Sequence, residues 1–137
     1  MENKFIEIFT GLKRDYGYAD INSAYKDPAT GKLKLKYGWA AKELLESDYL
    51  DHLTGKKSIG IQPCNDEGLA KFGAIDIDSD EYDNFDLRKY LEIIDKKNIP
   101  VVPVKSKSGG LHIYVFFKEP VKASFVINFL DKLLFTF

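Results

Sequence analysis

The sequence predicts an α+β protein built on a mainly antiparallel β-sheet. From Ser58 onward, segments with strand and helix patterns follow one another in the order β-β-α-β-β-α. The stretches 32–37 and 111–117 alternate from one residue to the next, which is typical of strands with one buried face. Successive strands in this order are expected to pair as hairpins, and the amphipathic helices then pack against one side of the sheet.

Composition narrows the possible functions. The 137 residues carry a net charge of −1, with 45% hydrophobic and 14% aromatic residues, as expected of one globular domain. Nucleic-acid binding would therefore depend on local clusters of lysine and arginine and not on overall charge. The single cysteine, Cys64, excludes a disulfide framework and a zinc site with several thiolates. No stretch has transmembrane length, so we expect a cytoplasmic protein without a membrane partner.

The N-terminal part, residues 1–57, is predicted to combine helices with extended segments. Helical spacing of apolar residues indicates a helix over 4–13, and an extended segment follows over 14–22. The strand at 32–37 places lysines on one face. These lysines either keep an edge strand soluble or contact phosphates, and the sequence leaves both interpretations open. A second helix is predicted over 39–53.

The C-terminal part, residues 58–137, is predicted to be the core of the same single domain, 1–137. The first two strands are 58–63 and a strand that starts at Leu69 or Lys71 and ends at Ile77. They are expected to form a hairpin, as are the last two. The remaining predicted elements are a helix at 87–97, strands at 101–104 and 111–117, and a final helix at 121–135.

The stretch 72–78, Phe-Gly-Ala-Ile-Asp-Ile-Asp, has the pattern of a buried strand that ends in two carboxylates. Asp76 and Asp78 are two positions apart, so their side chains are expected to point the same way. Two like charges held so close repel each other, and a divalent cation between them removes the repulsion. Oxygen ligands suit Mg²⁺ or Mn²⁺. The alternative is two surface aspartates at the end of a strand.

A second motif combines several groups that bind phosphate. Glycines expose backbone N–H groups, a serine adds a hydroxyl donor, lysines attract polyphosphate, and a histidine can donate to a phosphate oxygen. The alternative is a plain hairpin turn followed by an ordinary polar-face histidine. Because these groups lie within eight residues, we expect a site beside the aspartates on the same sheet. The group comprises Lys105, Lys107, Ser108, Gly109, Gly110 and His112.

These motifs resemble those of the archaeo-eukaryotic primase superfamily. Residues 74–78 match its first motif, in which three apolar residues precede Asp-x-Asp. Residues 108–112, Ser-Gly-Gly-Leu-His, enter a strand as its second motif does. The run from Ser58 to Val121 looks most like the primase domain of TOTE conflict systems and related phage or mobile-element primase-polymerases. The order of the predicted elements from Ser58 onward also resembles an RRM-like or palm-like β-β-α-β-β core with flanking helices.

The resemblance also implies an activity. The protein would be a nucleotidyltransferase, a DNA primase or primase-polymerase that joins NTPs or dNTPs on a single-stranded DNA template by a two-metal mechanism. Asp76 and Asp78 would bind Mg²⁺ or Mn²⁺ and, with His112, would be the catalytic residues. The groups implied to contact the incoming nucleotide are Lys105, Lys107, Ser108, Gly109, Gly110 and His112.

The third motif of the family, an apolar residue followed by a metal-binding aspartate, is missing. Leu130-Asp131 has the right letters, but Asp131 falls on the polar face of a predicted helix. Three alternatives therefore stay open: a C-terminally incomplete domain that needs its C-terminal remainder, a domain completed by a helicase or nuclease partner, or a domain that is not an active polymerase alone. Two other functions stay open: a non-catalytic nucleic-acid- or nucleotide-binding domain, and a metal-dependent nuclease.

Overall fold

The computed structural model describes residues 2–79, 84–107 and 109–137. These residues form four helices and two antiparallel three-stranded sheets, so the predicted α+β class is confirmed. The chain divides into two compact units, Met1–Glu67 and Gly68–Phe137. The elements are α1 (Glu2–Ile8), β1 (Tyr16–Lys26), β2 (Leu33–Ala40), α2 (Glu46–Leu53), β3 (Ser58–Gly60), β4 (Leu69–Ile77), α3 (Leu87–Lys96), β5 (Val102–Lys105), β6 (Leu111–Lys122) and α4 (Ala123–Leu134).

The first unit packs helices α1 and α2 against a sheet with strand order β2-β1-β3. Its core centres on Tyr16 of β1, Leu44 and Tyr49 of α2, and partly buried side chains from α1, β2 and β3 pack against them. The Tyr49 hydroxyl donates to the Phe9 carbonyl oxygen over 2.9 Å, so the ring is buried without losing its polar partner. Burial raises the pKa of this phenol.

A buried carboxylate fixes the start of α2 in this unit. Asp48 is 5% exposed and accepts hydrogen bonds from the Tyr16 hydroxyl at 3.1 Å and the Leu45 backbone N–H at 3.0 Å. It also forms an ion pair with the ammonium group of Lys57. Burial alone would raise the pKa of Asp48, but the bonds from Lys57, Leu45 and Tyr16 outweigh it and hold that pKa below its usual value. The carboxylate is therefore charged and satisfied at neutral pH.

Besides the end of α1, which lies at Ile8 and not at Lys13, two predictions about this unit were wrong. The strand at Ser58–Gly60 pairs with β1 and not with β4, so the expected first hairpin does not form. The helix predicted over 39–53 begins only at Glu46, because Trp39 continues β2. The reason for the second error is packing across the strands. The Trp39 ring lies over Gly17 of β1, where a Cβ atom would stand only 3.4 Å from it.

Strand β2, which carries the lysines, lies at the edge of its sheet. This position is the one expected if the lysines keep an edge strand soluble. The ammonium group of Lys34 forms an ion pair with Asp27 in the turn that precedes the strand. The hydrogen bond from Lys34, followed by those from the Ala29 and Thr30 backbone, lowers the pKa of Asp27. Lys34 therefore stabilises its own hairpin.

The second unit contains the sheet β4-β6-β5, with α3 and α4 contributing to its core. The predicted pairing of the last two strands is confirmed: β5 and β6 are antiparallel. One face of the sheet packs Ile75, Ile77 and Ile113 against the helices. Gly73 lets α4 approach β4, because a Cβ atom there would stand 2.6 Å from Val126 Cγ1. The opposite face of the sheet carries Asp76 and His112.

Candidate functional site

The site lies at the end of the second sheet where β4 ends and β6 begins. In the antiparallel register Asp76 pairs with His112, and His112 pairs with Val104 on its other side. Side chains alternate along a strand, so burial of Ile75 and Ile113 turns Asp76 and His112 toward the open face. The predicted proximity of His112 to Asp76 is thereby confirmed.

Asp76 and His112 touch directly and remain accessible. The His112 Nε2 atom lies 3.1 Å from Asp76 Oδ1, which is an ion pair whenever the imidazole is protonated. The Asp76 side chain is 63% exposed and that of His112 is 36% exposed. Because both groups face solvent, a cation can reach the carboxylate and an anion can reach the imidazole without unfolding of the sheet.

The glycine loop is fixed against the strand that carries the aspartates. The Ser106 N–H donates to the Gly110 carbonyl over 2.9 Å, and the Gly109 N–H donates to the Ser106 carbonyl over 3.1 Å. Gly109 has φ +96°, a backbone conformation that favours glycine. A methyl group on Gly110 would overlap the Ile77 carbonyl oxygen and stand 3.2 Å from Asp78 Cα. Gly110 therefore allows close approach of the loop to the end of β4.

This contact makes Gly110→Ala a test of the loop position. The new methyl group meets rigid backbone, so we expect the free energy of unfolding to fall by about 1–3 kcal/mol. Gly60→Ala is the control, because its methyl group would meet Gly17 only at an ordinary 3.8 Å. Urea denaturation followed by far-UV circular dichroism measures both. Equal stability of the two variants would contradict the close approach.

The other residues predicted for the site differ in their position and exposure relative to the Asp76–His112 pair. Asp78 is partly buried and lies one residue beyond β4. Lys105 is exposed as the last residue of β5, opposite Leu111, and Lys107 is exposed in the loop. Ser108 lies outside the described residues, and its predicted phosphate contact stays a prediction. Over 2–79, 84–107 and 109–137, no group of three or more His, Cys, Asp and Glu side chains is arranged to hold a metal ion.

The donor chemistry at this end of the sheet nonetheless fits Mg²⁺ or Mn²⁺. Mg²⁺ is commonly held by one or two carboxylates, and waters and substrate phosphates supply its other oxygens. The exposed Asp76 carboxylate and the adjacent Asp78 provide hard oxygen ligands of this kind. His112 Nε2 lies 3.1 Å from Asp76 Oδ1, so the carboxylate has room for a partner on the open face. Asp76 and Asp78 are therefore the residues that could hold the cation.

An aromatic column next to this pair was not anticipated from the sequence. Tyr114 and Phe116 follow His112 at every second position of β6, so all three share its open face. The Tyr114 and Phe116 rings stack with centroids 6.0 Å apart, and Phe116 meets Phe72 of β4 at 6.2 Å. The alternation of side chains along β6 could have shown that Tyr114 and Phe116 lie on the same face as His112.

Comparison with known families gives one match. The model of the family described as "TOTE conflict system, Archaeo-Eukaryotic Primase domain" matches residues 13–136. This range contains most of both units and every residue of the site. No curated protein gives a significant match. Among the described residues, no helix has the length and apolar character needed to cross a membrane.

Proposed function

Because this chain belongs to the archaeo-eukaryotic primase domain family of TOTE conflict systems, we propose that it binds a nucleoside triphosphate and a divalent cation for template-directed nucleotidyl transfer. The observation that carries the proposal is the accessible Asp76–His112 pair, joined over 3.1 Å at the end of the sheet where the glycine loop packs. A carboxylate next to an imidazole and a glycine turn suits a ligand with both a cation and phosphates.

In this proposal Asp76 and Asp78 hold Mg²⁺ or Mn²⁺. When bound, the cation would neutralise phosphate charge and lower the pKa of the attacking hydroxyl. The position of Asp76 supports this role, because most of its side chain is open to solvent and its strand is anchored below by Ile75 and Ile77. A rigid strand keeps the carboxylate in place as ligands exchange.

His112 is proposed to contact the phosphates of the nucleotide. Its Nε2 atom lies 3.1 Å from Asp76 Oδ1, and an N–H at this position can be donated to a phosphate oxygen bound beside that carboxylate. Lys105 and Lys107 are exposed at the same end of the sheet and would raise the local concentration of polyphosphate. Ser108, Gly109 and Gly110 complete the proposed phosphate contacts.

The proposed partners are NTPs or dNTPs and a single-stranded DNA template in the cytoplasm. The family match extends over both units, which supports one catalytic domain made of the two. We propose that a helicase or nuclease partner supplies the metal-binding carboxylate of the family's third motif. Asp131 does not supply it, because this residue is exposed in the middle of α4.

The test separates phosphate binding from metal binding with His112→Ala. We expect the variant to bind ATP about 10–100-fold more weakly in Mn²⁺, since a hydrogen bond to a charged group contributes roughly 1.5–3 kcal/mol. Mn²⁺ binding alone, measured by electron paramagnetic resonance, should be preserved. The control His52→Gln changes the other histidine, in α2, and should leave both unchanged. Equal ATP affinity in His112→Ala and the wild-type protein would remove His112 from the site.

A further inference from the structure

The open face of the second sheet changes from charged to apolar along β6. The row at its end contains Asp76, His112 and Val104. The next row contains Ala74, Tyr114 and Val102, according to the register of the three strands. Successive rows on one face lie about 7 Å apart. The parts of a nucleoside triphosphate follow the same order: the charged phosphates lie at one end, and the flatter, less polar nucleoside lies at the other.

The ring of Tyr114 is held in a defined orientation within this second row. It meets His112 edge-on, with centroids 6.2 Å apart and planes at 85°. It stacks on Phe116 with planes at 15°. Opposite it on β4 is Ala74, whose side chain is small and exposed, so the surface beside the ring is open. Val102 on the other side is also exposed.

The phosphate-binding groups of the proposed site define a direction. The glycine loop lies beyond the strand ends, and His112 is the second residue of β6. A triphosphate that contacts both the loop and His112 runs along β6, and the next side chain on that line is Tyr114. An aromatic ring with open space beside it suits a sugar and base, because bases stack on aromatic side chains with little dependence on their identity.

We propose that the Tyr114 ring, flanked by Ala74 and Val102, is the contact surface for the nucleoside part of the bound nucleotide. This inference rests on the proposed function, because it assumes that the phosphates bind at the loop and His112. Tyr114 is then a residue that binds substrate through its ring. Its contact with His112 is a consequence of their shared face and not its function.

Calorimetric titration in Mn²⁺ with ATP and with inorganic tripolyphosphate tests this inference. Tyr114→Leu should weaken ATP binding about tenfold, in the range of a base–aromatic contact, and leave tripolyphosphate binding unchanged. Tyr114→Phe keeps the ring and should match the wild-type protein for both ligands. Ala74→Leu fills the open surface from β4 and should also weaken ATP alone. This second variant decides the question should Tyr114→Leu not fold. His112→Ala should weaken both ligands.

Three results would overturn the inference, each in a distinguishable way. Equal weakening of ATP and tripolyphosphate by Tyr114→Leu would mean that Tyr114 only positions His112. Unchanged ATP affinity in both Tyr114→Leu and Ala74→Leu would place the nucleoside away from this row. If the wild-type protein binds tripolyphosphate and ATP with equal affinity, the nucleoside does not contribute to binding and does not contact the Tyr114 surface. Failure of the wild-type protein to bind either ligand would instead overturn the proposed function on which the inference rests.

Discussion

Asp76→Asn is expected to abolish metal-dependent binding of nucleoside triphosphates. The amide carries no charge, so the cation would lose an anionic oxygen ligand, and the group 3.1 Å from His112 Nε2 would no longer be a carboxylate. Loss of outer-shell partners of metal ligands typically costs about 10–100-fold in affinity, and loss of a ligand itself should cost at least as much. The fold should persist, because the side chain is 63% exposed.

The matched control for this variant is Asp131→Asn. Asp131 is also an exposed aspartate of the second unit, but it lies in α4. Titration with dATP in Mn²⁺ should give wild-type affinity for Asp131→Asn and no measurable binding for Asp76→Asn. Unfolding of Asp76→Asn in a thermal melt would make the carboxylate structural. Weakened binding in Asp131→Asn would contradict its exclusion from the site.

Asp48→Ala should destabilise the first unit by about 3 kcal/mol. It removes one partner of a buried ion pair and leaves the Lys57 ammonium group and the Tyr16 hydroxyl without their acceptor. Lys57 is partly exposed, and water therefore limits the loss. Trp39, the single tryptophan, lies in the same unit and reports its unfolding in urea by fluorescence. Asp51→Asn, which breaks only the exposed pair with Lys56, should cost less than about 1 kcal/mol.

The same carboxylate predicts how stability depends on pH. Because the pKa of Asp48 is lowered in the folded state by bonds that outweigh its burial, its contribution is present above the unfolded pKa of about 3.9. It is lost as pH falls through the lower folded pKa. The stability difference between the wild-type protein and Asp48→Ala should therefore be constant from pH 7 to 5 and shrink below about pH 4. A difference that grows on acidification would contradict the ionised state of Asp48.

The sequence was most informative where strands have a strict period of two. The alternation around His112 and the apolar residues before Asp76 predicted β6 and β4 and the proximity of their motifs. The predicted end of β6 was too early, because the strand continues to Lys122. Pro120 is tolerated there because the ladder shifts register between Ala70 and Phe72, and a proline in an irregular stretch costs no regular ladder bond.

Partner choice and close packing could not be predicted from local patterns. Strand β3 has only three residues, so its pattern does not distinguish β1 from β4 as a neighbour. The close approach of Gly110 to Ile77 depends on the three-dimensional path of the loop. A Gly-Gly pair in the sequence does not predict that path. The buried network around Asp48 was missed for a similar reason. Its partners Tyr16 and Lys57 are 32 and 9 residues away along the chain.

Asp76, Asp78 and His112 are proposed to form a site that binds a metal and a nucleotide together. Calorimetric titration of the wild-type chain with dATP and GTP, first with Mn²⁺ and then with the metal removed by chelation, tests this claim. We predict saturable binding of both nucleotides in Mn²⁺ and its loss on chelation, since unneutralised carboxylates repel phosphates. Equal binding with and without metal, or no binding in either condition, would contradict the claim.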